Sequence, residues 1–486
     1  MQKTQKLTLA ILIQAALIST AYASEQSEAK GFIEDAEGSV LFRTGFIDRD
    51  KKNVPAGTDT RSSAQSAIFD LESGYTKGVV GFGVGIVGDA SFKLGDNKHA
   101  GNQMIPRETL NGKKQAGDTY DHWARGGANV KARISNTEVR YGTQVLDLPV
   151  LASNTGRMVP EYFEGVLATS REINGLELTA GKFTKNQMSE QINTDGNRLD
   201  QAVVWGAKYK FSDALNASYF GLDSKNKLDR HYVNANYKQA LANDSSLTYD
   251  FSGYHTKFDK NATTYSSTGE VAPDYATTGV AGVEKTNNIW AISGTYNTGA
   301  HNLMLAYQQN TGNVGYDYGQ NADGFQSVYL PNSYLSDFVG NHEKSAQVQY
   351  SYNFKNQGLA GLNWTTAYVY GWDINVAGQT NEGKENEFFN QVKYTVQSGF
   401  AKDASLRVRN SIYRANNVYE NAYIGDTNEW RVFLDIPVKL FLFTVSLRAK
   451  KTCTLCRFFI CSSLTKKFNF IANGIIYSQL YMLQLS

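Results

Sequence analysis

The stretch that decides the fold lies at residues 430–441 and runs Trp-Arg-Val-Phe-Leu-Asp-Ile-Pro-Val-Lys-Leu-Phe. Every second residue from Trp430 to Leu440 is apolar, a period of two that indicates a β-strand with one face in an apolar environment. The stretch finishes on Phe441, and the closing strand of a bacterial outer-membrane β-barrel typically ends on an aromatic residue. Phe441 is out of phase with Trp430, so the strand requires a register shift, for which Pro437 marks a candidate bulge.

Residues 442–486 differ in composition from the strand before them. They are poor in Asp and Glu and contain all three cysteines, Cys453, Cys456 and Cys461. No histidine nearby would complete a zinc site with Cys453-x-x-Cys456, so we expect no metal there. We interpret the segment as a disordered or poorly packed tail, added to a complete barrel by read-through or a frameshift. We expect it to impair insertion, because the terminal aromatic residue is no longer terminal.

The first residues predict export. Lys3 and Lys6 precede an apolar run at 7–18, and Ala21-Tyr22-Ala23 forms a small-x-small cleavage site, which together indicate a secretory signal peptide. The barrel region has no cysteine, so closed hydrogen bonding rather than disulfides is expected to stabilise it. We therefore divide the chain into a signal peptide (1–23), a β-barrel domain (24–441) and the tail (442–486).

Composition supports a barrel and argues against nucleic acid as a partner. Aromatic residues make up 12% of the chain, with 43 Gly and only 7 Pro, which suits interfacial aromatic girdles, tight turns and unbroken hydrogen-bonded strands. The formal net charge of +2 gives no electrostatic basis for binding nucleic acid. No cofactor is expected either.

Alternating segments recur along the chain and predict an all-β, antiparallel, transmembrane barrel of 18 strands. Connections alternate between short turns and long loops, which is the asymmetry of short periplasmic turns and long extracellular loops. A soluble sandwich or propeller is the alternative, and its strands rarely keep this asymmetry. The predicted strands are 38–48, 65–74, 78–90, 125–135, 138–146, 163–172, 176–184, 200–211, 215–222, 230–241, 246–257, 287–297, 302–310, 344–354, 363–372, 386–397, 405–414 and 428–441.

Strand parity places a set of basic side chains on the inner face. In Leu406-Arg407-Val408-Arg409 the apolar residues share one face and the arginines share the other. An arginine facing hydrocarbon at the midplane costs about 2–4 kcal/mol, so the lumen is the favourable location. The set, which we name the basic ladder, consists of Arg43, Arg49, Lys131, Arg133, Lys393, Arg407, Arg409 and Arg431.

Barrel closure makes the first and last strands neighbours, so much of the basic ladder is expected to form one wall. Guanidinium groups offer forked donors to carboxylates, and a row of such sites lets an anion enter and leave. The alternative is that each cation simply pairs with a neighbouring Asp or Glu.

A set of motifs occurs in order between about residues 32 and 441. They are 72–83, 123–127, 131–137, 148–151, 156–160, 163–165, 330–334, 336–338, 426–431 and 435–437. Together they resemble the OprD family of substrate-specific outer-membrane porins, although a tail beyond Phe441 is foreign to that family. The resemblance implies a barrel, monomeric or homotrimeric, in which loop three folds into the pore.

The resemblance also implies where a solute passes. Arg157 and its loop, 147–163, would line the constriction, and the 311–343 loop would supply acidic groups through Asp323 and Asp337. Ser327 and Tyr329 would be hydrogen-bond donors there. Such a pore passes small carboxylate-bearing solutes, whether aromatic acids, dicarboxylates or amino acids. Outer-membrane lipid and the barrel-assembly machinery, acting through the closing strand near Phe441, are the other expected partners.

Two other classes of barrel stay open at this point. An outer-membrane esterase or lipase needs a serine and a histidine together, but Ser252 and His255 are three apart on one strand and so on opposite faces. No G-x-S-x-G nucleophile elbow occurs. An adhesive barrel without transport needs neither a basic ladder nor an inward loop. We therefore expect a pore in the outer membrane rather than an enzyme.

Overall fold

The computed structural model describes residues 24–53, 59–96, 101–110, 117–192, 199–259, 284–317 and 328–442. The predicted signal peptide, the tail beyond 442, and the predicted constriction residues Asp323 and Ser327 lie outside these residues. Within the described part of the chain, no helix is both long enough and apolar enough to cross a membrane.

Among these described residues, the regular structure consists of twenty strands and one short 3-10 helix, Phe354–Gln357. The strands are β1 (Glu37–Lys51), β2 (Thr60–Glu72), β3 (Val80–Lys93), β4 (His122–Ile134), β5 (Thr137–Gln144), β6 (Asp147–Leu148), β7 (Leu151–Ala152), β8 (Tyr162–Ile173), β9 (Leu176–Gln187), β10 (Ala202–Lys210), β11 (Leu215–Ser224), β12 (Leu228–Ala240), β13 (Ser246–Phe258), β14 (Lys285–Thr298), β15 (His301–Gly312), β16 (Lys344–Asn353), β17 (Leu362–Ile374), β18 (Gly383–Thr395), β19 (Ser405–Ala415) and β20 (Thr427–Leu442).

Eighteen of these strands form one closed antiparallel barrel, and β6 with β7 forms a separate small hairpin. Each barrel strand pairs with the next in sequence, and β20 pairs with β1 along its whole length. Closure gives every barrel strand a partner on both sides over most of its length, so most backbone polar groups of the wall are satisfied within the sheet. The predicted count of 18 strands and the predicted antiparallel order are confirmed.

The connections differ in length at the two ends of the barrel. Short turns such as 135–136, 174–175 and 299–300 lie at one end, which we name the turn end. The other end, the loop end, carries the longer connections. These include 94–121, 145–161 (loop three), 259–284 and 313–343 (loop seven).

The closing strand contains one extra residue. Gly38 pairs with Phe441 and Ser39 pairs with Lys439, which leaves Leu440 without a partner on β1. An unpaired residue of this kind is a β-bulge, and it shifts the alternation of the strand by one position. The register shift that the sequence required is therefore present.

The bulge does not lie where the sequence placed it. Pro437 is paired regularly with Leu41 of β1, so the predicted bulge at Pro437 is wrong. β19 pairs with β20 only as far as Asp435. Beyond that point β20 has β1 as its only barrel neighbour, and proline is tolerated at such an edge position.

Glycines on the inner face of β3 leave room for polar side chains. A Cβ at Gly81 would lie 2.3 Å from the side chain of Gln26, and a Cβ at Gly85 would lie 2.3 Å from Glu72. The outward residues between them, Phe82 and Val84, are exposed apolar side chains of the membrane face. The glycines of β3 thus leave space for these polar side chains inside the barrel wall.

We expect Gly83→Ala to destabilise the barrel, whereas Gly294→Ala is expected to be neutral. A Cβ at Gly83 would lie 2.7 Å from Lys131 Cε and 2.9 Å from the carbonyl oxygen of Gly74, whereas one at Gly294 meets nothing within 4 Å. Overpacking of this kind typically costs about 1–3 kcal/mol. The unfolding temperature of both variants in detergent tests this, and equal temperatures would contradict it.

Loop three packs inside the barrel against two walls. Its residues Val150 and Leu151 belong to an apolar cluster that includes Tyr254 of β13. Its Met158 belongs to a second cluster with Phe433 of β20. The loop therefore contacts the inner face of the barrel on both the β13 side and the β20 side.

Candidate functional site

The basic ladder lies on the inner face of consecutive strands around the closure. Lys393 of β18 is directly opposite Arg407 of β19, and Arg409 is directly opposite Arg431 of β20. Directly opposite residues point to the same side of an antiparallel sheet. Arg43 follows on β1, and the remaining members lie on β1 and β4.

Three members of the ladder form ion pairs with two acidic residues on the same wall. Arg43 forms a forked ion pair with Asp435, at 2.7 Å from Nε and 3.0 Å from Nη2. Arg49 and Arg431 share the buried Glu429, through contacts of 2.7 Å and 3.0 Å. The alternative of simple pairing therefore describes these three residues well.

Three other members form no ion pair with any described residue. The Arg407 guanidinium lies 5.2 Å from the ring centre of Phe433, and that of Arg409 lies 4.9 Å from the ring centre of Phe389. Arg409 Nε and Nη2 are buried without a hydrogen-bond partner among the described groups. Lys393 is exposed to the lumen. These three cations therefore lack a direct carboxylate partner among the described residues, although Asp435 acts on Arg407 and Glu387 and Glu429 act on Arg409 at longer range.

The β4 members of the ladder face the turn end. Lys131 contacts Glu72, and its ammonium group lies 5.0 Å from the ring centre of Tyr75. The Arg133 guanidinium lies 4.0 Å from the same ring. Cations over aromatic rings gain attraction from the ring face without losing their charge.

Sequence reasoning missed one cation of this group, Arg140. It lies directly opposite Lys131 and contacts Glu72 at 2.6 Å and Glu138 at 3.3 Å. The sequence pattern could have predicted its position. Val139 and Tyr141 alternate with Glu138 and Arg140, so the two apolar residues occupy one face of the strand and the two charged residues occupy the other.

Arg157 and Tyr329, two of the predicted constriction residues, are both held at loop three. Arg157 Nε donates to the carbonyl oxygen of Asn102 at 3.1 Å, and its own carbonyl accepts from Arg43 at 3.0 Å. The Tyr329 hydroxyl of loop seven donates to Asp147 of the β6–β7 hairpin. Loop seven therefore touches loop three, and loop three touches the basic ladder.

Asp337 occupies a different part of loop seven. Its carboxyl accepts a hydrogen bond from Ser333, and its carbonyl oxygen accepts one from Gln308 at 3.0 Å. Tyr329 and Asp337 share no hydrogen bond in the described part of the loop. The two residues that the sequence assigned to one acidic pocket are thus attached to different neighbours.

Glu385, Glu387 and Glu343 form a buried acidic group that the sequence reasoning missed. Glu387 accepts from the backbone N–H groups of Leu335 and Ser336, at 3.0 Å and 2.9 Å. The Ser336 hydroxyl donates to Glu385 at 2.9 Å. These contacts anchor loop seven to β18. Parity within β18 could have placed both glutamates inside, but it gives no sign of the loop that they bind.

Burial raises the pKa of Asp337 to about 7, with Glu387 adding to the rise and Arg409 opposing it. Glu385 and Arg431 are the other charged groups that act on it. Burial also raises the pKa of Glu343 well above its usual range, and the neighbouring Glu385 contributes. Asp337 is therefore partly protonated near neutral pH.

The docking of loop seven is expected to weaken as pH rises from about 4 to 7. An unfolded aspartate titrates near 3.9, so over that range the undocked state releases a proton that docked Asp337 keeps, and stability falls. We expect open-channel current noise to increase between pH 5 and pH 8, and Asp337→Asn to reduce that increase. Asp213→Asn, in an exposed turn, is the control. An identical pH profile in all three proteins would contradict the prediction.

A fully buried ion pair, also unforeseen from sequence, fixes loop three. Arg125 and Asp89 are 2.9 Å apart, with both side chains at 0% exposure. Arg125 also donates to the carbonyl oxygens of Pro160, at 2.6 Å, and of Met188. The pair thus joins the wall to the end of loop three and to the connection after β9.

The comparisons with known proteins agree with this architecture. The family model described as outer membrane porin, OprD family, matches residues 30–440. The chain belongs to the OprD family. Porin D of Pseudomonas aeruginosa is 33% identical over 450 residues, a match that covers 87% of this chain and 95% of that protein.

Two solved structures have a similar fold. The crystal structure of Acinetobacter baumannii OccAB1 is 74% identical, covers 86% of this chain and 100% of that one, and gives a TM-score of 0.80. That of Pseudomonas aeruginosa OccK2 (OpdF) in complex with glucuronate is 26% identical, covers 85% of this chain and 100% of that one, and gives a TM-score of 0.69. The turn end of this outer-membrane porin accordingly faces the periplasm.

Proposed function

We propose that this porin gives passive, substrate-selective diffusion of small carboxylate-bearing solutes across the outer membrane. The solute passes the constriction at loop three and moves along the basic ladder. The observation that carries the proposal is the group Lys393, Arg407 and Arg409, which face the interior and form no ion pair with described residues.

Cations without a direct acidic partner on an inner wall attract anions, because a paired carboxylate would cancel much of the positive potential that the solute experiences. Neighbouring members such as Arg43 and Arg431 are already paired with acids, so they interact with a solute more weakly. A series of sites of moderate strength lets an anion enter without being trapped. The glucuronate bound to OccK2 is a carboxylate-bearing solute, which supports this class of cargo.

Aromatic acids are the members of this class that fit best. Arg407 and Arg409 stand over the rings of Phe433 and Phe389, so a carboxylate bound there has an apolar surface beside it. The acidic groups Glu385 and Glu387 accept hydrogen bonds from loop seven. They are therefore less available to the amine of an amino acid.

The proposal extends to assembly. Insertion would proceed through recognition of the closing strand near Phe441 by the barrel-assembly machinery, followed by a monomeric or homotrimeric state in the lipid. These features rest on the family resemblance and on the position of β20 beside β1.

Planar-bilayer conductance with benzoate, succinate and arginine titrated in tests the proposed function. We expect discrete openings that benzoate blocks at the lowest concentration. Openings indifferent to all three solutes would identify a general pore and contradict selectivity. A chain that inserts but gives no openings would favour an adhesive barrel.

A further inference from the structure

Residues 24–29, which we name the N-terminal arm, are held at the turn end of the barrel. The Gln26 backbone N–H donates to the carbonyl oxygen of Ser135 at 3.1 Å. Its side-chain amide donates to the carbonyl oxygens of Thr76 and Gly78, at 2.9 Å and 3.1 Å. With 3% of its surface exposed, Gln26 is a buried anchor rather than part of a loose strand end.

The absence of a side chain at Gly81 leaves space in the barrel wall for the side chain of Gln26. Gly81 of β3 lies where any side chain would collide with Gln26, since its Cβ would be 2.3 Å from Gln26 Oε1. The amide orientation is set by its surroundings, because Nε2 faces two carbonyl oxygens and Oε1 faces the guanidinium of Arg133. The N-terminal arm therefore has one defined position beside the basic ladder.

In this position, the arm places the carboxylate of Glu25 beside Arg133 of the basic ladder. Arg133 Nε donates to Gln26 Oε1 at 3.2 Å, and its Nη1 lies 3.6 Å from the carboxylate of Glu25. Glu25 also lies 3.7 Å from Arg171. Its side chain is 42% exposed, so the contact with Arg133 can open without unfolding the arm.

We propose that Glu25, positioned by Gln26, acts as an internal carboxylate that competes with the solute at Arg133 and so speeds release into the periplasm. This inference rests on the proposed function. A tethered group acts at high effective concentration without any partner having to bind. The ion pair is long, at 3.6 Å, and its carboxylate is 42% exposed, so the contact is weak enough to exchange. Glu25 is thus a residue that determines affinity at the exit of the pore.

The test is benzoate block of the full chain in planar bilayers, with benzoate added on the periplasmic side. Glu25→Gln keeps the size of the side chain and removes its charge. We expect it to lower the half-blocking concentration by about two- to fivefold, the range of an exposed ion pair, and to lengthen each block. Glu28→Gln is the matched control, because Glu28 is exposed on the same arm and forms no ion pair with the described residues.

An Arg133→Ala background adds a second criterion. If Glu25 acts through Arg133, then Glu25→Gln has little effect once Arg133 is absent, and a full effect there would overturn the inference. Equal block of the wild type, Glu25→Gln and Glu28→Gln would also overturn it. If either of these results is obtained but Arg407→Ala with Arg409→Ala still weakens benzoate block, the inference about Glu25 fails and the proposed function stands. No benzoate block in any of the proteins would overturn both.

Discussion

Replacing Arg407 and Arg409 together with alanine is expected to raise the half-blocking concentration of benzoate by about tenfold or more. Hydrogen bonds to charged groups contribute about 1.5–3 kcal/mol each, and about 1.4 kcal/mol corresponds to a factor of ten in affinity. Both arginines face the interior and form no ion pair with the described residues. Their loss therefore removes two positive charges that have no direct ion-pair partner among the described residues, and preference for anions over cations should fall as well.

The matched control for this experiment is Arg61→Ala with Arg414→Ala. These two arginines form ion pairs with Asp48 and Asp426 at or near the loop end, at 3.0 Å and 3.9 Å. The control makes the same change in net charge but leaves the basic ladder intact. If both double variants had the same block by benzoate as the wild type, the ladder would have no role in selectivity.

The second large effect is expected from Arg125→Met, which should strongly destabilise the barrel. Removing one partner of a buried ion pair typically costs about 3–5 kcal/mol, because the other charge stays buried without compensation. Here that charge is Asp89, and both side chains are fully buried. Loop three also loses the hydrogen bond from Arg125 to Pro160, so the open-channel conductance should rise.

The temperature at which the detergent-solubilised barrel loses its compact gel mobility measures this loss. Arg61→Met is the control, because the Arg61 side chain is 68% exposed and such pairs contribute about 0–1 kcal/mol. Adding Asp89→Asn to Arg125→Met should recover part of the loss, since no lone buried charge then remains. A single variant as stable as Arg61→Met would refute the role of the pair.

The alternation of side chains made the barrel predictable. Period-two segments gave all eighteen barrel strands, because each strand has one face toward lipid and one toward the interior. Parity also predicted that Arg407 and Arg409 lie on the inner face, since that assignment needs only the neighbouring residues Leu406 and Val408. The position of the bulge at Leu440 was not predictable, because it depends on the pairing of β20 with β1.

By itself, the sequence determined the fold class and the strand order, which follow from local side-chain periodicity, and it predicted an inner position for the basic ladder. Only the tertiary structure decided which of those cations are neutralised. Arg43 meets Asp435 across 392 positions of sequence, and Gln26 meets Arg133 across 107. Such contacts depend on strand register around the closure and on loops that fold inward. Local periodicity carries no information about either, because both are set by packing between segments distant in the chain.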